Sequence, residues 1–152
     1  MILNSDYRDI LHALSERKAK FLLVGAYAMA AHGYPRSTMA IDIWIMPAPE
    51  NALLILQALQ DFGAPSGDLS PEDLQTEGLV FQIGVAPRRI DILTSVDELK
   101  FEDAFSRSIV LEIDDLSVHV LSIPDLIKNK RATGRTKDLA DAELLEENKK
   151  DT

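Results

Sequence analysis

Twice in this chain an aspartate stands between isoleucines, at Ile41-Asp42-Ile43 and at Ile90-Asp91-Ile92. The β-branched neighbours ask for a strand. Aspartate disfavours strand interiors, because its short polar side chain competes for backbone hydrogen bonds, and a charge close to a core needs a partner. A fold that accepts both runs must therefore supply something cationic. If the two strands are neighbours, their carboxylates point to one side and share a hard cation, Mg2+ first and Mn2+ next, for which carboxylate oxygens are natural ligands. Taken singly, either aspartate reads equally well as a strand-edge residue facing water or an arginine.

A third feature makes the pair more than coincidence. Residues 21–24, FLLV, read as a buried strand that runs straight into Gly25. Beyond it Ala26-Tyr27-Ala28-Met29-Ala30-Ala31 has strong helix propensity until Gly33 and Pro35 stop it. A strand thus feeds a helix N-terminus through glycine, and the free amides and positive end of such a helix suit a phosphate group. A plain tight turn is the alternative reading of a lone glycine.

The remaining elements follow from periodicity and punctuation. Asn4 or Ser5 caps a first helix in which Tyr7, Ile10, Leu11 and Leu14 recur on one face. Residues 41–45 alternate as a strand with one face more buried than the other. Pro49 opens a helix with an apolar stripe of Ala52, Leu53, Leu56 and Leu59, ended by Gly63 and Pro65. Residues 64–78 read as loop with one helical turn after Ser70-Pro71, and residues 79–83 and 89–93 as a hairpin turned at Ala86-Pro87. A short helix at 101–105 precedes a second hairpin, strands 109–113 and 118–121 turned on Asp114-Asp115. Ser122-Ile123-Pro124-Asp125 is a helix start with Ser122 as cap and Asp125 completing the box; Gly134 ends that helix, and Thr136 caps a last one running into the charged tail. The expectation is an α/β (α+β) fold, a small mixed sheet flanked by helices.

With 152 residues, 46% of them apolar, the chain has enough material for one core and not two, so residues 1–152 are expected to form a single domain. Its apolar runs fall far short of the roughly 20 residues that span a bilayer. The opening MILNSDYRDI lacks the basic flank and apolar stretch of a signal peptide, and the lack of cysteine excludes disulfides and thiolate metal sites, so a cytoplasmic location is expected. A net charge of −9 opposes nonspecific binding to nucleic acid. Against that background Lys128, Lys130, Arg131, Arg135 and Lys137 form a local cationic patch, where a small, highly charged anion could dock.

The run LVGAYAMAAHGYPRSTMAIDIWI, residues 23–45, resembles the opening motif of nucleotidyltransferase-fold proteins, especially small bacterial members related to abortive-infection and toxin–antitoxin transferases. There a strand and glycine turn lead to a helix and then to an Asp-x-Asp strand, with a third carboxylate on a later strand. Gly25 matches the turn, Asp42 the second aspartate and Asp91 the third. LSIPDLIKNKRATGRTKDLAD, residues 121–141, resembles the closing motif, in which a lysine and an Arg-x-Lys-Asp run stand near the phosphates. The resemblance implies transfer of a nucleotidyl group from a nucleoside triphosphate such as ATP to an acceptor hydroxyl on a tRNA, a protein or a small molecule. Asp42 and Asp91 would hold the metal; Gly25, Ala26, Arg36, Thr38, Lys130, Arg135 and Lys137 would hold the phosphates.

The sequence departs from the pattern at Ala40, the position of the first aspartate. In the two-metal scheme three carboxylates hold two ions roughly 4 Å apart, and losing one direct ligand is expected to cost several kcal/mol of transition-state stabilisation. The chain is accordingly expected to be impaired or inactive, through an introduced Asp-to-Ala change or a natural loss rather than a reorganised site. Ala26, where many members carry a second glycine, is a milder departure because its amide remains available. Arg36 and Thr38 read otherwise as a surface arginine and a strand-start threonine. His32 reads as a helix-end residue, with a direct role as the alternative, and Tyr27 and Trp44 as core or interface aromatics. A rival function is a silent nucleotide- or protein-binding module, such as one half of a toxin–antitoxin pair; a plain α/β domain with chance aspartates is a third. A homodimer or partner protein would extend the small surface left for an acceptor.

Overall fold

Asn4 starts the first helix, its side-chain oxygen accepting a hydrogen bond from the Tyr7 amide at 2.9 Å. This is a computed structural model, and it describes Met1 and residues 3–150. Helix α1 (Ser5–Glu16) buries Tyr7, Ile10, Leu11 and Leu14, the positions its spacing predicts. Strand β1 (Phe21–Val24) is buried throughout and passes at Gly25 into α2 (Gly25–Ala31). Strand β2 (Ala40–Ile45) follows, then α3 (Pro49–Phe62), which Gly63 ends in a left-handed conformation at φ 91°. After one turn of 3-10 helix (Asp73–Gln75) come β3 (Val80–Ile83) and β4 (Arg89–Leu93). Helix α4 (Phe101–Ser106) leads to β5 (Ile109–Ile113) and β6 (Leu116–Val120). Helices α5 (Ile123–Thr133) and α6 (Thr136–Lys150) close the chain; the last tail residues, Asp151 and Thr152, lie outside the described residues.

The six strands form one mixed sheet in the order β3-β4-β2-β1-β6-β5. β2 runs parallel to β4 and antiparallel to β1, so the strand after the glycine turn and both aspartate strands sit side by side at its centre. Ile41 and Ile43 pair with Ile90 and Ile92 on one face, all buried. Each such side chain removed from water contributes about 2 kcal/mol to holding these strands in register. A slip of one residue would turn the isoleucines onto the aspartate face and the aspartates into the core.

Several local expectations need correction. β2 is buried on both faces apart from Asp42, because it lies inside the sheet, where both sides are covered. The buried stripe of α3 is Asn51, Ala52, Ile55, Ala58 and Leu59; Leu53 is 53% exposed and Leu56 only partly buried. Asn51 explains the rotation: its amide accepts from the Lys20 backbone N–H and donates to the Lys20 and Met46 carbonyls, turning that face inward. Ser122 does cap α5, accepting from the Asp125 amide at 3.3 Å, but the Asp125 carboxylate serves Arg107 instead of completing the box. Thr136 is the first residue of α6 rather than the residue before it.

Candidate functional site

The parallel register pairs Asp42 directly with Asp91, so both side chains leave the same face of the sheet. Burial pushes the Asp42 carboxyl up to about 6, and the charge of Asp91 adds to the rise, while Arg89 and Lys130 pull it down. Gly25 lies against this carboxylate. Its φ is 67°, and a Cβ there would stand 2.5 Å from Asp42 Oδ2. The position requires glycine twice over, once for the backbone and once for the approach of the aspartate.

Asp91 faces an arginine, the alternative that the sequence leaves open for either aspartate, and that arginine is Arg89. The Arg89 guanidinium grips it with both prongs, Nε to Oδ1 at 2.9 Å and Nη2 to Oδ2 at 3.1 Å. Arg89 is two residues earlier on the same strand, hence on the same face, and its register partner across β2 is Ala40. Tyr7, read from the sequence only as core, donates its hydroxyl to the carbonyls of Arg89 (3.0 Å) and Pro87 (3.2 Å), tying down the start of β4. Burial, then Tyr27 and the two aspartates, push this phenol up to about 12, so it stays a neutral donor at ordinary pH.

A cavity of about 580 Å3 opens beside Asp42. Gly25, Ala26, Arg36, Thr38, Asp42, Lys130, Arg135 and Lys137 all line it, bringing together every predicted site residue except Asp91 and Ala40. A hollow of about 630 Å3 at Asp9, Glu16, Arg17 and Asp61 is of similar size, yet it contains none of them, and its Arg17–Asp61 pair is solvent-exposed. Size alone does not pick out the chemistry here.

Three of the five cations of the basic segment, Lys130, Arg131 and Arg135, carry acidic partners. Lys130 is buried, its Nζ between Asp138 (3.3 Å) and Asp141 (3.1 Å); Arg135 bonds Asp138 at 2.8 Å, Arg36 bonds Asp141 at 2.9 Å, and Arg131 pairs with Glu146. Thr133 also donates to Asp138, at 2.8 Å. α6 packs on α5 and lays Asp138 and Asp141 against Lys130, and the cavity is lined by four basic side chains together with four acidic ones, Asp42, Asp97, Asp138 and Asp141. The signal for this was present in the spacing of Asp138 and Asp141, which fall on one face of a helix. Thr38 donates to the Ala40 carbonyl at 2.9 Å and shapes the entry to β2. His32 Nε2 lies 2.9 Å from the Leu121 carbonyl, outside the cavity lining. Tyr27 packs edge-on against Tyr7 and Trp44 edge-on against Phe101, as core aromatics do.

The donor set does not fit a two-ion centre. Ala40 offers no side-chain oxygen, both Asp91 oxygens are engaged by Arg89, and of the two strand aspartates only Asp42 lines the cavity. Among the described residues no group of three histidine, aspartate or glutamate side chains is arranged to hold a metal ion.

No protein-family model and no curated protein matches the sequence. A solved structure from Thermotoga maritima, provisionally assigned as a nucleotidyltransferase, superposes with a TM-score of 0.58 over 100% of this chain and 97% of its own, at 16% identity. The fold is nucleotidyltransferase-like. In this fold the strand-glycine-helix turn, the aspartate strands and the closing helix pair all border one cavity. Among the described residues no helix is long and apolar enough to cross a membrane.

Proposed function

We propose that the cavity receives a nucleoside triphosphate and that the chain is a nucleotidyltransferase-like protein whose transfer step is impaired. The observation that carries this reading is the convergence on one cavity of the Gly25 turn, the Asp42 carboxylate and four cationic side chains. The Gly25 and Ala26 amides at the start of α2, with Arg36, Lys130, Arg135 and Lys137, would take the phosphates, which exchange with Asp138 and Asp141 as partners of those cations. Mg2+ or Mn2+ belongs to the proposal as the ion that Asp42 and Asp91 hold once Ala40→Asp completes the set. The acceptor is a hydroxyl on a tRNA, a protein or a small molecule, and the site's use of intracellular triphosphates supports a cytoplasmic setting.

Ala40 favours a second reading, a silent nucleotide- or protein-binding module such as one half of a toxin–antitoxin pair, with a second copy or a partner protein supplying surface. Calorimetry with ATP and GTP and label transfer from α-labelled nucleotide, run on this chain and on Ala40→Asp, separate the two. Binding by both forms and transfer only by the substituted one supports the enzyme reading. Binding without transfer by either supports the module, and absence of binding in both removes the nucleotide altogether.

A further inference from the structure

The carboxylate centre already contains a cation, and the protein supplies it. We infer that Arg89 is the resident counter-ion of the Asp42–Asp91 pair and keeps a divalent ion out of it, so that in this chain nucleotide binds without one. The second half of this inference rests on the reading of the cavity given above; the first does not.

Three observations carry it. The guanidinium fork matches a carboxylate edge and engages both Asp91 oxygens, at 2.9 and 3.1 Å, so that a metal ion would have to share them with a fixed positive charge. Second, the fork is in reach without any shift of the strand: Arg89 and Asp91 are two apart on one face, and Arg89 faces Ala40, whose methyl group leaves room where a longer acid would crowd and compete for the guanidinium. Third, the backbone that aims Arg89 is itself held, because the Tyr7 hydroxyl donates to its carbonyl. A Mg2+ ion demands near-octahedral oxygen ligation and gives up water reluctantly. To enter, it would have to displace the fork from Asp91 and then bear the guanidinium charge a few ångströms away, with Asp42 as its one uncommitted carboxylate. The pair needs a cation, and Arg89 meets that need from within.

Mn2+ binding to the full chain, counted by electron paramagnetic resonance in the absence of nucleotide, tests this. The native chain should show no saturable site tighter than millimolar; Arg89→Gln should create one, tighter by at least about tenfold, and adding Asp91→Asn should abolish it. One Mn2+ bound by the native chain as tightly as by Arg89→Gln, or none gained by a folded Arg89→Gln, overturns the inference. Should Arg89→Gln not fold, the native chain decides alone: its melting temperature should be the same in Mn2+ and in chelator, and a rise that Asp42→Asn removes overturns the inference. ATP and GTP affinities should likewise agree within about twofold with and without Mg2+, and a requirement for Mg2+ overturns it. Failure of nucleotide to bind under either condition counts against the reading of the cavity, while the Mn2+ titration still decides the role of Arg89.

Discussion

The two charged regions of this molecule are mirror images. At the sheet, two carboxylates suited to a cation are balanced by Arg89; at the α5–α6 pair, cations suited to an anion are balanced by Asp138 and Asp141. Each holds an internal stand-in for an external counter-ion. They differ in burial and in how the charges are delivered. The side chain of Arg89 is 31% exposed and lies within one strand, whereas that of Lys130 is 10% exposed and is enclosed by acids from the next helix. The sheet stand-in is therefore the easier to remove, and the helical one contributes more to holding the domain together.

The largest effect should come from breaking the helical side. Lys130→Met leaves Asp138 and Asp141 without their shared cation in a buried setting and should destabilise the domain by about 3 kcal/mol, read by urea denaturation. Arg89→Gln should cost clearly less in the same assay; an equal cost would erase the distinction. Gly25→Ala comes next, at roughly 2 kcal/mol or more, since it combines a left-handed φ with a contact against Asp42. The same substitution should lower nucleotide affinity.

The two regions should also respond to pH with opposite sign. Asp42 has its folded carboxyl raised to about 6 against an ordinary 3.8, so the native state holds that proton more tightly and stability falls as pH rises between about 4 and 6. Asp42→Asn should therefore stabilise by up to about 3 kcal/mol above pH 6, with the gain fading toward pH 4. Burial alone would raise Asp138, but Thr133, Lys130 and Arg135 outweigh it and hold the carboxyl below its usual range. Its contribution is present above the unfolded value and is lost as pH falls through the folded one. Asp138→Asn should accordingly cost stability at neutral pH, with the difference closing in acid; melting curves across pH for both variants check the crossing. The smallest effect belongs to Ser122→Ala, which removes the cap of the helix carrying Lys130 and should cost about 1 kcal/mol.

The fold was largely readable because punctuation and periodicity coincide here. Gly63 and Gly134 end α3 and α5 as read, and the hairpin at Asp114-Asp115 turns with both residues at positive φ, as a two-residue loop requires. Leu53 misled, since an apolar residue on a helix surface carries no label saying which face is covered, and Asn51, whose inward turn depends on the distant Lys20 carbonyl, gave no local sign. At the site, Asp42 and Asp91 were legible because aspartate is anomalous in a strand. Arg89 was overlooked because arginine at a strand start is ordinary, although a strand at 89–93 already puts it on the face of Asp91; only its place beside Ala40 depends on register. The basic residues 128–137 read as a patch because one segment shows its own charges and not those another helix will lay against it.

The central claim is that the strand-to-helix turn at Gly25, Asp42 and the cations of α5 and α6 form one triphosphate site. Heteronuclear NMR of the labelled chain during titration with ATP and GTP tests it most directly. Saturable shifts of the Gly25 and Ala26 amides, accompanied by shifts at Lys130 and Asp141, are the predicted result. Resonances at these positions that stay fixed through millimolar nucleotide would contradict the account.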